Sequence, residues 1–493
     1  MSVYSKLGGQ TLIYGLGNIV PRILNYAILT FYYTRRFSVE QYGMITELYA
    51  YVAILLVILT YGMETGLFKF ASEKRSLDNV FGTAFVSVLM TSFVFSIFVL
   101  LAYKGIADKI SYNKNPEYIY LLGFTVAIDA VTSIVFAKIR MKEKVRKFAL
   151  MKILNVVLTV VLVLGFLEVM PKVFSNHLSV FYEKYLKNIE VGYVFIANLI
   201  ASALLLIILL PEYRKIRFAL DKRMLKELLR YSLPLLVVGL AGMMNETIER
   251  ILLRFFLPEK SNVLFEIGIY GANYRIALLM TLFIQMFRYA AEPFFFAHYS
   301  KEDAKEIYAN ILKYFIIFCL IIFLFVMVYL DWIKYFIDRK YYSGLHIVII
   351  VLAANMILGI LFNVNMWYKL TGKTFYGVYI TGIGALLTVV LNILFIPKYS
   401  YLACAWIHLI SNAVMMIITL LLGNKYYRIP YNYRRISEII AVASMLYILF
   451  VITKSDNNGY NFIVGTLVLG IFVFYSIKRE KLFTVFLKKA HEN

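Results

Sequence analysis

Cysteine is nearly absent: of 493 residues only Cys319 and Cys404 carry thiols, and both sit inside apolar stretches. That placement reads as two inert packing thiols and excludes a disulfide-stapled fold. Charge is scarce too, at 16% of residues, where a soluble chain carries about a quarter. The five histidines, His177, His298, His346, His408 and His491, are scattered without ligand spacing. No zinc motif, phosphate-cradling glycine loop or nucleophile elbow is present, which removes the common metallo- and nucleotide-dependent enzyme classes. The apolar stretch after Lys6 has no small-residue cleavage site, so the first span is expected to stay as a helix.

What the chain has is apolar sequence. Hydrophobic residues make up 61% and the mean hydropathy is +0.74. They fall in runs of about twenty, the length a helix needs to cross a hydrocarbon core roughly 30 Å thick. The fold class expected is therefore an all-α polytopic membrane protein. Fourteen spans are predicted, near 9–34, 41–71, 80–103, 117–137, 148–167, 188–210, 231–257, 263–297, 307–330, 344–368, 376–396, 402–422, 436–453 and 460–477. An even number puts both termini on one side. Lys and Arg concentrate in the terminal segments and the loops on that side, which the positive-inside rule assigns to the cytoplasm. The net charge of +22 is thus a topology signal and not a nucleic-acid footprint. Its densest stretches are 138–147 and Arg214 to Arg230. In the second, Leu220, Leu225, Leu228 and Leu229 share a helix face, as in a basic amphipathic segment on an anionic leaflet.

An internal repeat organises the spans. An offset of 228 residues carries Arg22 to Arg250, Tyr42-Gly43 to Tyr270-Gly271, Glu64 to Glu292 and Phe68 to Phe296, and sets Glu47 against Arg275. Six helices lie between the paired spans, so the halves run parallel, related by an axis along the membrane normal. The expected organisation is an N-lobe at 1–210, a cytoplasmic basic amphipathic linker at 211–230 and a C-lobe at 231–423. Residues 424–493 add two further spans and a tail without counterparts.

Charges inside these spans are the functional signal. Arg22, Glu47, Glu64, Asp129, Glu246, Glu249, Arg250, Arg254, Arg275, Arg288 and Glu292 all lie within apolar helices. Each costs at least about 2.5–3.5 kcal/mol at the bilayer centre, so they must face one another or water. They concentrate on spans one, two, seven and eight, the repeat-related helices, which predicts a hydrated cleft. Glu246, Arg250 and Arg254 step by four and share one helix face, as do Arg288 and Glu292. One reading is neutralising ion pairs. The other starts from the arginines at midplane and in the outer half, Arg22, Arg250, Arg254 and Arg275. Guanidinium forks match phosphate oxygens and stay charged, so these are candidate binders of a phosphate-bearing anion. Glu47, Glu64, Asp129 and Glu292, with Glu246, Glu249 and Arg288, remain either cleft ion pairs or sites for a coupling Na⁺ or H⁺. The aromatic excess, 40 Tyr against 3 Trp, includes Tyr26, Tyr32, Tyr33, Tyr49, Tyr51 and Tyr61 in the first two spans. These serve as interfacial anchors, or stack on sugar rings in a wet cleft.

Gly9 to Gly17, Val20-Pro21-Arg22, Phe37 to Gly43, Tyr61 to Thr65, Ser232-Leu233-Pro234, Glu249-Arg250 and Ala291 to Phe296 form a set of local sequences. Together they resemble bacterial polysaccharide-export flippases of the O-unit (Wzx-type) branch of the multidrug/oligosaccharidyl-lipid/polysaccharide superfamily. The resemblance implies two six-helix lobes with two extra C-terminal helices, alternating access, and no catalysis. The implied substrate is an undecaprenyl-pyrophosphate-linked oligosaccharide, moved from the cytoplasmic to the periplasmic leaflet of the inner membrane for O-antigen, capsule or exopolysaccharide synthesis. Arg22, Arg250 and Arg275 would hold the pyrophosphate, and a polysaccharide polymerase and chain-length regulator would be pathway partners. Many members carry Asp where this chain has Glu249, which leaves cation coupling open. A membrane polymerase or ligase would need a large outward loop with convergent acid and base groups, and the longest, roughly 168–187, has none. A multidrug exporter, or an exporter of another lipid in the same superfamily, is the alternative; the arginine-rich spans and the extra helices oppose the former.

Overall fold

A computed structural model of the chain describes residues 21, 23–72, 77–142, 144–177, 191–213, 220–258, 260–299 and 301–480. Among them every regular element is helical. In lipid no water is available for open backbone groups, so a spanning segment must satisfy its own N–H and C=O groups, and a helix does so. The α-helices are α1 (Thr30–Arg36), α2 (Val39–Thr60), α3 (Met63–Ser72), α4 (Leu77–Lys109), α5 (Glu117–Met141), α6 (Val145–Leu164), α7 (Met170–His177), α8 (Gly192–Ile208) and α9 (Leu210–Tyr213). They continue with α10 (Lys222–Phe256), α11 (Val263–Ile276), α12 (Leu278–His298), α13 (Ala304–Val328), α14 (Leu330–Ile333), α15 (Val348–Val364), α16 (Met366–Leu370), α17 (Phe375–Tyr426), α18 (Tyr433–Thr453) and α19 (Asn458–Glu480). Single π-turns at Asn25–Leu29 and Gly165–Val169 join the helices around α1 and α6.

Among the described residues ten helical stretches are long and apolar enough to cross a membrane, and the bent pair α11–α12 makes up to eleven. The chain is a multi-pass membrane protein. The count falls short of the predicted fourteen for identifiable reasons. The predicted span at 9–34 lies largely outside the described residues, and α8 is apolar but short. The two predicted spans at 376–396 and 402–422 follow one another in α17 as two helical segments meeting at a kink at Ser400, whose φ is 51°, and count as one stretch. Span two is also interrupted. Between α2 and α3 the backbone turns through Tyr61 and Gly62 at positive φ, 29° and 72°, the left-handed region where glycine carries no steric penalty.

Local signals place the helix starts. Ser38 and Gln41 form a reciprocal capping box at α2, Ser38 Oγ accepting from Gln41 N at 3.2 Å and Gln41 Oε1 from Ser38 N at 3.0 Å. Asp221 caps α10 by accepting from the Arg223 and Met224 amides. The basic segment from Lys222 to Arg230 is thereby the opening of the same continuous helix that carries span seven. Its Leu228 is fully buried, in an apolar cluster with Met63, Phe85, Ile134 and Tyr213.

Backbone proximity divides the chain into two units, Met1–Gly268 with Asn392–Lys398, and Ile269–Leu391 with Tyr399–Asn493. Within the second unit the last two helices, α18 and α19, dock on α13. Val328, Phe450 and Val468 form the apolar contact. Ion pairs hold both ends of it. At one end Glu480 accepts from Lys313 Nζ and Arg435 Nε, at 2.5 and 2.6 Å. At the other, Asp331 pairs with Lys454 at 2.8 Å and Lys334 at 3.0 Å.

Burial pushes the Asp331 carboxyl up, but hydrogen bonds from Lys454 and Lys334 outweigh it and hold the group below the usual aspartate range. The pair therefore stabilises the docked helices fully above the ordinary aspartate value of roughly 3.9, and that contribution is lost as pH falls through the lowered value. Thermal unfolding of the purified protein followed from pH 7 to pH 3 is expected to show an acid loss of stability. Part of that loss disappears in Asp331→Asn, which is less stable at pH 7; an unchanged acid profile contradicts the assignment.

Candidate functional site

The intramembrane charges sort into groups, each inside one unit. In the first unit Glu47 of α2 is fully buried and Arg254 of α10 nearly so. Arg254 Nε donates to Glu47 Oε1 at 2.9 Å and Nη2 to Oε2 at 2.5 Å, a bidentate fork. Tyr112, from the turn between α4 and α5, donates its hydroxyl to Glu47 Oε2 at 2.7 Å and accepts from Arg254 Nη2 at 3.2 Å. Both carboxylate oxygens are engaged. Charge-assisted, bidentate bonds of this kind are the strong ones, and here they join spans two and seven.

Shape makes that junction possible. Gly43 lies against the Leu264 carbonyl and Gly268 against the Val39 carbonyl, with no room for a Cβ at either. A Cβ at Gly62 would stand 2.7 Å from the Ser232 carbonyl oxygen. Glu40 accepts from Asn262 at 3.1 Å beside the first of these contacts. The seam from α2 to α3 is therefore packed backbone to backbone near both ends, against α11 at Gly43 and against α10 at Gly62, with the Glu47–Arg254 pair between them.

One and two turns before Arg254 come Arg250 and Glu246, as the four-residue spacing predicts. Arg250 is half-buried and donates to the Glu246 backbone oxygen at 3.4 Å; the Glu246 side chain is exposed. Glu249 is fully buried. Asp129 of α5 hydrogen-bonds Ser202 of α8 and faces Lys152 of α6, while Glu64 of α3 faces Lys152 and Arg140. Arg22 lies outside the described residues. In the second unit Arg275 is half-buried in α11. Glu292 of α12 sits 3.9 Å from Arg288, four residues earlier, but its close partner is Lys369 of α16 at 2.6 Å.

Three participants were not singled out from sequence: Tyr112, Lys152 and Lys369. Tyr112 lies between predicted spans, and Lys152 and Lys369 fall at span ends, where a lysine reads as an interface residue. Only Lys152, four residues inside span five, carried a visible signal.

This arrangement of broken, charge-bearing apolar helices defines a multi-pass membrane protein whose intramembrane charges answer one another. The chain belongs to the polysaccharide biosynthesis protein family, whose profile matches residues 7–298. Its fold is similar to a lipid II flippase MurJ in an inward closed conformation, with TM-score 0.68 and 14% identity over 94% of this chain and 99% of that one. A multidrug resistance MATE family transporter in an inward-facing conformation matches with TM-score 0.63 and 14% identity, over 86% of this chain and 94% of that one. The outward-facing conformation of a MATE transporter matches at 0.60 and 15%, over 85% and 95%. A search of curated protein sequences returns no match.

Removing one partner of the buried pair strands the other. Arg254→Ala is expected to destabilise the protein by about 3–5 kcal/mol, and Arg254→Ala with Glu47→Leu to recover much of that loss. Thermal unfolding in detergent measures both. A double variant no more stable than the single one would refute charge burial as the cause.

Proposed function

We propose that the chain is a flippase, without covalent chemistry, for undecaprenyl-pyrophosphate-linked oligosaccharide units. It moves them from the cytoplasmic to the periplasmic leaflet of a bacterial inner membrane, by alternating access, for O-antigen, capsule or exopolysaccharide synthesis. Membership of a polysaccharide biosynthesis family supports the glycan, and the fold shared with a lipid II flippase supports a lipid carrier. The observation that carries the reading is the placement of arginine forks inside apolar helices. Arg254, bidentate to Glu47, is a guanidinium already presented in the geometry that suits a pyrophosphate oxygen pair.

In this reading Arg22, Arg250, Arg254 and Arg275 bind the pyrophosphate. Arg254 exchanges its carboxylate partner for substrate, so binding and the release of the span two–span seven seam are one event. Lys152, shared by Asp129 and Glu64, is suited to a coupling step in which Na⁺ or H⁺ changes the charge of those carboxylates. Both termini lie in the cytoplasm, and a polymerase and chain-length regulator act on the delivered units. Multidrug export is the second reading, favoured by the MATE fold match and disfavoured by arginine where a cationic drug would need acid.

In proteoliposomes the purified protein should carry a polyprenyl-pyrophosphate oligosaccharide across the bilayer, and Arg22→Ala or Arg250→Ala should abolish transport while the protein inserts at normal levels. Full transport with both arginines removed would overturn the pyrophosphate assignment. Imposed Na⁺ and H⁺ gradients applied separately identify the coupling ion; indifference to both refutes ion-driven exchange.

A further inference from the structure

In the second unit one carboxylate serves two cations. Glu292 is committed to Lys369 at 2.6 Å, and Arg288 stands off at 3.9 Å with 51% of its side chain exposed. Its guanidinium lies 4.9 Å from the Phe362 ring centre, which shields one face and leaves the N–H edge open. The cluster has two cationic groups, one carboxylate and an open side.

Its position in the chain is specific. Arg288 ends the apolar stretch of the bent pair α11–α12, and Lys369 falls at the end of the stretch Arg339–Leu370. Lys369 therefore stands at a span end, where a lipid headgroup lies, and its pair with Glu292 brings that face of α12 to the same end, which the sequence orientation assigns to the cytoplasmic side. A surplus cation held there by an aromatic face, with an ammonium beside it, matches a phosphate oxygen set.

We infer that Arg288 and Lys369 form a loading subsite that takes the pyrophosphate of the lipid-linked substrate in the cytoplasmic leaflet, with Glu292 as the internal competitor that the anion displaces. This rests on the flippase reading and adds a second anion station, within the other unit from Arg254. The subsite recognises phosphate chemistry, which an ordinary phospholipid headgroup also offers.

The test uses full-length protein in nanodiscs. Replacing Trp332 and Trp406 by Phe leaves Trp367, whose ring lies 5.7 Å from that of Tyr368, as the fluorescent reporter. Undecaprenyl pyrophosphate is titrated in phosphatidylcholine discs, with inorganic pyrophosphate and phosphatidylglycerol as competitors. Arg288→Gln and Lys369→Gln should each weaken binding roughly tenfold, the loss of one charge-assisted bond. Glu292→Gln should tighten it, since removing the competitor frees both cations. A purely structural ion pair predicts the opposite sign, so weaker binding in Glu292→Gln overturns the subsite, as do unchanged affinities in the first two variants. Equal competition by phosphatidylglycerol overturns the pyrophosphate assignment. A parent protein that binds no undecaprenyl pyrophosphate overturns both the subsite and the flippase reading, whereas binding without dependence on Arg288 or Lys369 overturns the subsite alone.

Discussion

A charge placed inside an apolar helix has to be answered by another group, and the first unit is arranged around one such answer. Glu47 is cut off from solvent, and Arg254 reaches it with two N–H bonds while Tyr112 closes the third side. The pairing sets how near α2 and α10 must come, and close backbone approach on either side of it requires glycine, at Gly62 against α10 and at Gly43 and Gly268 where α2 meets α11. A side chain at any of these positions would hold the backbones apart and stretch the fork. The polar interaction and the small residues are one constraint seen from two directions, because a buried pair compensates its desolvation only when the geometry is tight.

Much of this was readable in advance, and the unreadable part has a physical cause. Periodicity placed Glu246, Arg250 and Arg254 on one helix face, and α10 carries them so. The need for partners followed from the cost of charge in hydrocarbon. Which partners meet did not: Glu47 and Arg254 are far apart in sequence, and only packing chooses between Arg254, Arg250 and Arg275 as the fork for that carboxylate. Arg288 and Glu292 were paired by their spacing, yet the closer cation comes from Lys369 on another helix. One helix break was visible and one was hidden. Ser400 turns the backbone where Pro397-Lys398 interrupts the apolar run between two predicted spans, whereas the Tyr61-Gly62 break falls inside predicted span two, marked only by the glycine that left-handed geometry favours.

The second unit solves the same electrostatic problem at its margins. Asp331 and Glu480 each draw two cations from separate segments, one set at either end of the α13 contact. Apolar side chains fill the length between them, so the charges stay near headgroup depth, where long lysines and arginines are tolerated. Register between the helices is therefore set by the ion pairs at two points together with the packed side chains between them.

That double attachment decides what the terminal hairpin is for energetically. The surface it covers on α13 is as content against acyl chains as against Val468 or Phe450, because lipid is no less apolar than leucine. Shortening the chain before α18 would thus forfeit little by way of greasy contact. It would instead leave Lys313 without Glu480 and Asp331 with Lys334 alone, one weakened charge of each sign at opposite ends of α13. The hairpin behaves less like a wall of the protein than like a strut whose two feet are ionic.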